Sequence, residues 1–499
     1  MSEPNVYDLF EYPGYSFPDT HPDRLAVMAA LHGVPAAPVE NCRVLEIGCG
    51  EGANLIPMAQ ALPSSQFTGF DLAANPVARG QKRARLLGLS NLRLFQADLA
   101  DVGPEDHRGA LGKYDYVIAH GLYAWVAEPL RDKLLALCAE HLAENGVAFL
   151  SYNAWPGSHI RNMFRDALRW STTGAPQGPE EVAGSLDLIE ALIQARAADD
   201  PWRRLFEDQI AKMRKRAPNI TLHDELAPAF APVWFSAFVR HARSHGLEYL
   251  ADAQLPVPTD PAFRPELMTR IRTAAGDDPI DQEDMLDFTR MRMYRETLLV
   301  RAPRTLRREP DPGALTHMLL ASQAVAIPGE HSEQRLYAIP GGTRVALNQG
   351  PAIAAMEMLI AAWPRALSFD EVSAALRAHG LPQGAQPNHL LLQMAIARLI
   401  ELHQWQPAVV NFVSERPEVP ALCRHEAALR PYTPNLWHAI VQLDDPVLRT
   451  LLLLMDGSRT RSELLAALVR EFPATPETEL DNDLDEHLER LRHAALLCA

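Results

Sequence analysis

The sequence predicts an α/β protein in which a largely parallel sheet, with helices on both faces, is followed by a mainly helical C-terminal region. Two observations predict this architecture. Over the first 153 residues, short β-rich runs alternate with helical patterns, which is the rhythm of a doubly wound sheet. From about residue 304 this alternation ends, and a pattern of helix, turn, helix, spacer and helix occurs twice, which is typical of winged-helix modules.

Length and composition exclude several classes of protein. The 499 residues correspond to about three domains at roughly 150 residues each. With 47% hydrophobic and 22% charged residues, the chain has the composition of a globular protein and not of a disordered one. The 47 Lys and Arg residues against 63 Asp and Glu give a net charge of -16, which makes a nucleic-acid partner unexpected.

Cysteine usage and the N-terminal sequence indicate a cytoplasmic protein. The 5 cysteines form no CxxC pair and no metal-ligand spacing, so we expect neither a disulfide framework nor a bound metal. Acidic residues occupy the N-terminus, where a signal peptide carries positive charge. Because no uncharged apolar run approaches about 18 residues, we also expect no membrane span.

The elements of the sheet follow in order. The run Thr20-His21-Pro22-Asp23 offers a capping residue and a Pro in the first turn, which predicts a helix from Pro22 to Leu31. Two later runs, LEYLADA at 247–253 and ETLLVR at 296–301, predict the last two strands of the same sheet. The five strands predicted before them are Arg43–Ile47, Phe67–Asp71, Leu92–Gln96, Tyr114–Ala119 and Val147–Tyr152.

These patterns predict five consecutive regions. They are a ligand-binding core at 1–170, a helical insertion at 171–230, the end of the core sheet with a further helical excursion at 231–303, and winged-helix-like modules at 304–420 and 421–499. Winged helices often bind DNA, but residues 435–499 hold twelve acidic residues against six Arg and no Lys. This charge balance favours a packing or protein-recognition role.

The stretch from Val44 to Asn54 carries the most informative motif. An apolar strand runs into Gly48, Gly50 and Gly52 and then into a helix, so backbone N–H groups can approach a nucleotide-like ligand without obstruction by Cβ atoms. Two interpretations compete, because Gly48-x-Gly50-x-x-Ala53 also satisfies the relaxed dinucleotide fingerprint. A glycine-rich turn that binds nothing is a third alternative.

Three acids favour S-adenosylmethionine (SAM) over a dinucleotide. Glu46 lies two positions before the first glycine, where it opposes a pyrophosphate but suits a ligand with positive amino and sulfonium groups. Asp71 is placed to bind ribose hydroxyls, and Asp98 to accept the adenine amino hydrogens while the N–H of Leu99 contacts the ring. Together they predict a Rossmann-like class I methyltransferase core with S-adenosylhomocysteine as its product. The predicted cofactor-binding residues of these motifs are Glu46, Gly48, Cys49, Gly50, Asn54, Asp71, Leu72, Asp98 and Leu99.

Motifs outside the glycine loop give a narrower resemblance. They are Tyr7-Asp8 with Tyr12, Phe17 and Thr20-His21-Pro22; HGLYAWV at 120–126; Ser151-Tyr152-Asn153; LHDEL at 222–226; and Arg295-x-Thr297-Leu298-Leu299. With them the chain resembles the bacterial protein lysine methyltransferases known from rickettsial outer-membrane-protein methylation, including that family's regulatory domain. The resemblance implies methyl transfer from SAM to the side-chain amine of Lys in a protein substrate at the surface or outer membrane of the same bacterium.

The acceptor chemistry points to aromatic residues after the fourth and fifth strands. In-line displacement at a sulfonium needs a neutral amine about 3 Å from the methyl carbon. Aromatic walls desolvate an ammonium and tolerate its methylated form, so we predict an acceptor channel of Tyr123, Trp125 and Tyr152. Asn153 either positions the amine or caps a turn, and Trp125 alternatively anchors the helix that follows it.

Two further residues have open roles in the cofactor site. His120 either contacts the methionine part of the cofactor or satisfies a buried hydrogen bond. Tyr12 either closes over the cofactor as a lid or packs on the first helix. The alternative functions are a small-molecule N- or O-methyltransferase and a SAM-binding regulatory protein with weak turnover. The sequence leaves the assembly state open, and a homodimer is compatible with it.

Overall fold

The computed structural model describes residues 6–103, 111–172, 178–216, 218–227, 229–255, 265–276, 278–328 and 335–498. Seven strands form one sheet in the order β3-β2-β1-β4-β5-β7-β6. They are β1 (Arg43–Ile47), β2 (Gln66–Asp71), β3 (Leu92–Gln96), β4 (Tyr114–Ala119), β5 (Leu142–Asn153), β6 (Leu247–Asp252) and β7 (Tyr294–Arg301). All seven predicted strands are confirmed. Only β7 runs antiparallel to its neighbours, β5 and β6.

The helices of the first 301 residues surround the sheet and form the insertion. They are α1 (Val6–Leu9), α2 (Pro22–Leu31), α3 (Leu55–Ala61), α4 (Ala74–Leu86), α5 (Glu128–His141), α6 (Ser158–Ser171), α7 (Pro179–Gln194), α8 (Pro201–Arg214), α9 (Pro218–Leu226), α10 (Phe235–Ser244), α11 (Pro265–Ala275) and α12 (Pro279–Arg290). The predicted bounds of α2 are confirmed. Its cap is His21 and not Thr20, since the His21 Nδ1 accepts a 3.1 Å hydrogen bond from the Asp23 N–H.

The C-terminal region is mainly helical, with short strands between the helices. Its elements are β8 (Leu319–Ala321), β9 (Val325–Ile327), β10 (Arg335–Ala338), β11 (Arg344–Leu347), α13 (Gly350–Ala362), β12 (Leu367–Ser368), α14 (Phe369–Ala378), α15 (Pro387–Ile396), β13 (Glu401–His403), α16 (Ala421–Leu429), β14 (Tyr432–Pro434), β15 (Ile440–Gln442), α17 (Pro446–Leu454), α18 (Arg461–Glu471) and α19 (Glu477–His493). The predicted repeat corresponds to α13–α15 and α17–α19. A capping box starts the second helix of each copy, Ser368 with Glu371 and Thr460 with Glu463.

The two faces of the sheet bury separate cores. One face, here called the α2 face, packs against α2 and residues 315–405 of the C-terminal region, and the other, the α10 face, packs against α5 and α10. Because successive side chains of a strand alternate, Phe149, Ser151 and Asn153 of β5 point to the α2 face while Tyr152 points to the α10 face. Among the described helices, none combines the length and apolar character that crossing a membrane requires.

Candidate active site at the carboxyl edge of the sheet

The glycine loop turns directly after β1. Gly48, Gly50 and Gly52 have φ values of 78°, 53° and 71°, which lie in the left-handed region that glycine adopts without strain. The Gly50 N–H donates a 2.8 Å hydrogen bond to Asp71 Oδ2 at the end of β2. The loop is therefore fixed to the neighbouring strand by one of the acids that the sequence places in the site.

The other two acids lie near the ends of the neighbouring strands. Asp71 ends β2, which lies next to β1 and Glu46, and Asp98 follows β3, which lies next to β2. Asp71 also accepts a 2.9 Å hydrogen bond from the Ala73 N–H, and burial raises its pKa. Asp98 is half-buried beyond β3 and accepts a 2.9 Å hydrogen bond from the Ala100 N–H. Since β3, β2 and β1 are neighbours in the sheet, the three predicted carboxylates lie in a row along one edge.

Glu46 is the most constrained of these acids. It is 4% exposed, and Oε1 accepts a 2.9 Å hydrogen bond from Asn54 Nδ2. Its other oxygen, Oε2, is buried and has no hydrogen-bond partner among the described residues. Burial, opposed by the bond from Asn54, raises the pKa of Glu46 to about 8. A buried acceptor of this kind suits a cationic donor such as an ammonium group.

Asn54 joins three parts of the chain. Its Oδ1 accepts hydrogen bonds from the Phe17 N–H at 3.0 Å and from His438 Nε2 at 2.8 Å, and its Nδ2 donates to Thr20 Oγ1 at 3.0 Å as well as to Glu46. Protein groups thus occupy both ends of the amide. A direct contact of Asn54 with a cofactor stays a prediction.

The predicted cofactor residues Leu72 and Leu99 differ in exposure. Leu72 is 49% exposed beyond β2, while Leu99 is buried after β3. Cys49 is buried in the glycine loop, and burial raises the pKa of its thiol well above the ordinary value. This thiol therefore carries no charge that would compete with the three acids. Cofactor contacts of Leu72, Leu99 and Cys49 stay predictions.

His120 lies beyond β4 on the α2 face. Its ring stacks on Phe17 with centroids 3.8 Å apart, and its Nε2 lies 3.4 Å from the Tyr294 hydroxyl. Burial lowers the pKa of His120 to about 4, so the ring is neutral. The Tyr294 hydroxyl donates a 2.6 Å hydrogen bond to Ser151, which also accepts from the Gly121 N–H. These contacts fix the turn of the HGLYAWV motif against β5 and β7.

Asn153 ends β5 beside Tyr294, with which it pairs in the sheet. It is 3% exposed, and its Oδ1 is buried with no hydrogen-bond partner among the described residues. The α2 face thus carries a second unsatisfied acceptor at the same edge as Glu46. Such a group can accept a hydrogen bond from an amine.

The predicted acceptor channel of Tyr123, Trp125 and Tyr152 lies on the α10 face, and the sheet separates it from Asn153. Tyr152 lies on the α10 face, is 0% exposed, and has its hydroxyl 3.1 Å from Thr297 Oγ1. Tyr123 packs against it and has its hydroxyl 2.8 Å from His241 Nδ1. The structure therefore brings Tyr123 and Tyr152 together in a core, while Asn153 is on the opposite face. Catalytic roles for these residues stay predictions.

Trp125 and Tyr12 contact the helical regions instead of the row of acids. The half-buried Trp125 ring packs on Phe230 with centroids 4.7 Å apart, and the Arg161 guanidinium lies 5.1 Å from its centroid. Tyr12 is 38% exposed and donates a 3.3 Å hydrogen bond to Asp224 of α9. The segment that contains Tyr12 is thus held by α9, and its role as a lid stays a prediction.

Sequence reasoning missed Tyr294 and Glu296 of β7. Leu298 of this strand belongs to the core of the α2 face, so alternation directs both residues to that face with Asn153. Burial, with the charges of Asp19 and Asp252, raises the pKa of Glu296 to about 7. The available signal was the run of polar residues at 294–297, where an otherwise apolar strand begins.

Comparisons with known proteins identify three parts of the chain. Residues 45–148 match the family model of a methyltransferase domain, residues 217–301 that of a predicted methyltransferase regulatory domain, and residues 415–475 that of the PKMT C-terminal winged helix domain. The predicted resemblance and fold class are confirmed: the chain joins a class I methyltransferase domain to a regulatory domain and a PKMT-type winged helix. The predicted cofactor, SAM, agrees with the first of these domains.

Individual relatives come from Rickettsia. An uncharacterized protein of Rickettsia prowazekii is 31% identical over 300 residues, which are 60% of this chain and 53% of the relative, so the chain spans about half the length of that protein. A second uncharacterized protein of Rickettsia prowazekii is 28% identical over 245 residues, which are 49% of this chain and 96% of that relative. The structure of PKMT2 from Rickettsia typhi in complex with AdoHcy has 19% sequence identity and a TM-score of 0.86, with 98% of this chain and 100% of that chain covered. This similarity establishes the fold of nearly the whole chain.

Proposed function

We propose that the chain binds SAM across the glycine loop and transfers its methyl group to the side-chain amine of Lys in a protein of the bacterial surface or outer membrane. The observation that carries this proposal is the row of acids at the carboxyl edge, in which the buried Glu46 keeps one oxygen unsatisfied. The PKMT-type winged helix supports a protein as the substrate.

Each end of the cofactor has a matching group in this row. Glu46 Oε2 accepts a hydrogen bond from the amino group of the methionine part, because that oxygen is buried and has no protein donor. Asp71, fixed by Gly50 and Ala73, keeps lone pairs for the ribose hydroxyls. Asp98, beyond the next strand, faces the adenine. The bound cofactor supplies an electrophilic methyl group on a positively charged sulfur.

The acceptor amine enters on the α2 face, beside Asn153. Its Oδ1 accepts a hydrogen bond from the amine and orients the nitrogen lone pair toward the methyl carbon. Glu296 takes the proton that a Lys ammonium must lose before it reacts, and a pKa near 7 suits a base at neutral pH. The nitrogen lone pair then forms the N–C bond as the C–S bond breaks.

Acidic residues around this position favour a cationic substrate. Asp19 and Asp252 are close enough to Glu296 to raise its pKa, and Asp19 accepts a 2.9 Å hydrogen bond from Gln254. Arg292 pairs with Asp252 at 2.9 Å and Arg24 with Asp19 at 3.6 Å, so the charge that attracts a Lys ammonium is chiefly that of Glu296. In this proposal Tyr123 and Tyr152 support the site from behind the sheet, and Trp125 lies beside the path of the polypeptide.

The test is transfer of an isotopically labelled methyl group from SAM to envelope proteins extracted from the source bacterium. Mass spectrometry of the products is expected to locate the label on the Nζ of Lys, and the variant Glu46→Gln, assayed at the same SAM concentration, is expected to transfer much less. Label confined to small molecules would instead establish a metabolite methyltransferase. SAM binding without any transfer would reject enzymatic turnover on these substrates.

A further inference from the structure

The second C-terminal module reaches the cofactor site of the methyltransferase domain. We propose that His438 and Arg430 are positioning residues for SAM binding, His438 by orienting Asn54 toward the donor-binding carboxylate Glu46, and Arg430 by holding Glu51 of the glycine loop. This inference rests on the proposed function, since it assigns a role to residues behind the proposed SAM site. It makes the C-terminal module part of the cofactor site.

The orientation of the Asn54 amide follows from its partners. The backbone N–H of Phe17 can only donate, so the atom 3.0 Å from it must be the Asn54 oxygen. The amide nitrogen then faces Glu46 Oε1 at 2.9 Å and donates to it. His438 Nε2 lies 2.8 Å from the same Asn54 oxygen and must carry the proton. Two donors thus hold the oxygen, and one of them comes from a residue 384 positions along the chain.

His438 is held in an unusual backbone conformation for this contact. Its φ is 65°, which lies in the left-handed region that costs a residue with a Cβ about 1 kcal/mol or more. The side chain is 4% exposed and its ring lies 5.2 Å from that of His21. Burial lowers the pKa of His438 well below its ordinary value, so the ring stays neutral and donates from Nε2 alone. The surrounding fold imposes this conformation and thereby directs the ring to Asn54.

Arg430 makes the second connection. Its guanidinium donates to Oε1 of Glu51, the residue between Gly50 and Gly52 in the glycine loop. It also donates to the backbone oxygen of Gly14 at 3.3 Å. Glu51 is 3% exposed and is also paired with Arg83 at 3.3 Å. Arg430 is thus one of three cations that hold the Glu51 carboxylate, with Arg83 and Arg79, and it is the one that the C-terminal module supplies. The same module therefore constrains the loop and the carboxylate that bind the cofactor.

Contacts between domains commonly serve stability alone. A matched pair of variants at position 438 separates a role in stability from a role in SAM binding. In His438→Gln the side-chain amide retains a donor at the position of Nε2, whereas His438→Met has similar volume and no donor. Both variants keep a Cβ at the left-handed position, so the backbone cost is the same in each. We expect the Kd for SAM, measured by calorimetry at pH 7, to rise about tenfold in His438→Met and less than twofold in His438→Gln.

The pH dependence of the difference in Kd between His438→Met and the wild type is a second readout. A purely structural role of His438 would not change it. Without His438 the Asn54 oxygen loses one of its donors, so the amide is held less firmly and the hydrogen bond that lowers the pKa of Glu46 is weakened. The ratio of the His438→Met Kd to the wild-type Kd should therefore fall toward one when the pH is raised to 9.5. Two titratable groups, Asp71 and Cys49, face Glu46, and one, His21, faces His438. All three residues are unchanged in both variants.

Wild-type binding is measured first, so that the two proposals fail separately. Wild-type protein that does not bind SAM would contradict the proposed function. Wild-type binding with equal Kd values for His438→Gln and His438→Met would overturn the role of His438. If His438→Met does not fold, Arg430→Met is compared with Arg430→Lys, which keeps the charge opposite Glu51. Equal Kd values in that pair would overturn the role of Arg430.

Discussion

His403 Nδ1 lies 2.7 Å from Asp23 Oδ2, in a buried ion pair that joins β13 of the C-terminal region to α2 of the methyltransferase domain. The other oxygen of Asp23 accepts hydrogen bonds from the backbone N–H groups of Gln404 and Trp405 at 2.6 and 3.0 Å. Burial disfavours the charged form of His403, but Asp23, together with Glu401, outweighs it and raises the pKa to about 9. The ion pair therefore couples the domain junction to pH.

The stability of the protein should fall as pH rises through this range. The folded-state pKa of His403 lies above its ordinary value of 6.5, so the folded protein binds this proton more tightly than the unfolded chain. The stabilisation is complete below pH 6.5 and is lost between about pH 6.5 and 9. We expect wild-type protein to lose on the order of 3 kcal/mol of unfolding free energy relative to His403→Gln across this range. Urea unfolding at pH 6 and pH 9.5 measures it, and parallel pH profiles for the two proteins would contradict the prediction.

Much of the cofactor side could be predicted from sequence. Glu46 lies one residue before the end of β1, Asp71 ends β2 and Asp98 lies two residues beyond β3. Because the carboxyl ends of neighbouring parallel strands share one edge, local patterns suffice to bring them together. The contact of Asn54 with His438 could not be predicted in this way. It depends on the packing of a module that lies 384 residues further along the chain, and no local pattern specifies which side chain fills that position.

The residues predicted to bind the acceptor amine show a different limit of prediction from sequence. Tyr152 and Asn153 are adjacent in sequence and were predicted to act together, but adjacent residues of a strand point to opposite faces. Alternation alone separates them once β5 is known to continue to Asn153. Glu296 could be assigned to the same edge only after β7 was known to pair antiparallel with β5, which the sequence pattern does not reveal.

Gly80 of α4 should tolerate no side chain. A Cβ at this position would lie 2.3 Å from the backbone oxygen of Glu51, so α4 approaches the glycine loop closely only because this residue is glycine. Gly80→Ala must push the loop away, and we expect a loss of about 2 kcal/mol or more in stability together with weaker SAM binding. Calorimetry and urea unfolding test both effects.

Gly184 of α7 provides the matched control. It also lies within a helix, but a Cβ there would meet nothing within 4 Å. Gly184→Ala is expected to leave SAM binding unchanged and to stabilise the protein by up to about 1 kcal/mol, because alanine has the higher helix propensity. Equal effects of the two substitutions would mean that the approach of α4 to the loop is unimportant.

Arg295 should stabilise the packing of β7 against α12. It is 1% exposed and donates from Nε and Nη2 to both carboxylate oxygens of Asp287, at 2.7 and 2.8 Å, while Asp287 itself is 0% exposed. Arg295→Met would leave that buried carboxylate with only the more distant Arg292, at 3.7 Å, so we expect a loss of about 3 kcal/mol, at the low end for a broken buried ion pair. Thermal unfolding measures the loss. Adding Asp287→Asn to Arg295→Met should recover part of it, and a double variant as unstable as the single one would argue against a charge effect.

Glu296 should set the pH dependence of methyl transfer. A base must be deprotonated to take the proton of the Lys ammonium, and burial with the neighbouring acids raises the pKa of Glu296 to about 7. The value of kcat should therefore rise with pH to a plateau above about pH 8, and Glu296→Gln should lower the plateau about 100-fold while leaving the Kd for SAM within twofold. The control is Glu144→Gln, an exposed acid near the opposite end of β5, which should change neither quantity. Because the lost step is proton removal, raising the pH further should restore part of the rate of Glu296→Gln. A variant with normal kcat and an unshifted pH profile would assign the base to another residue.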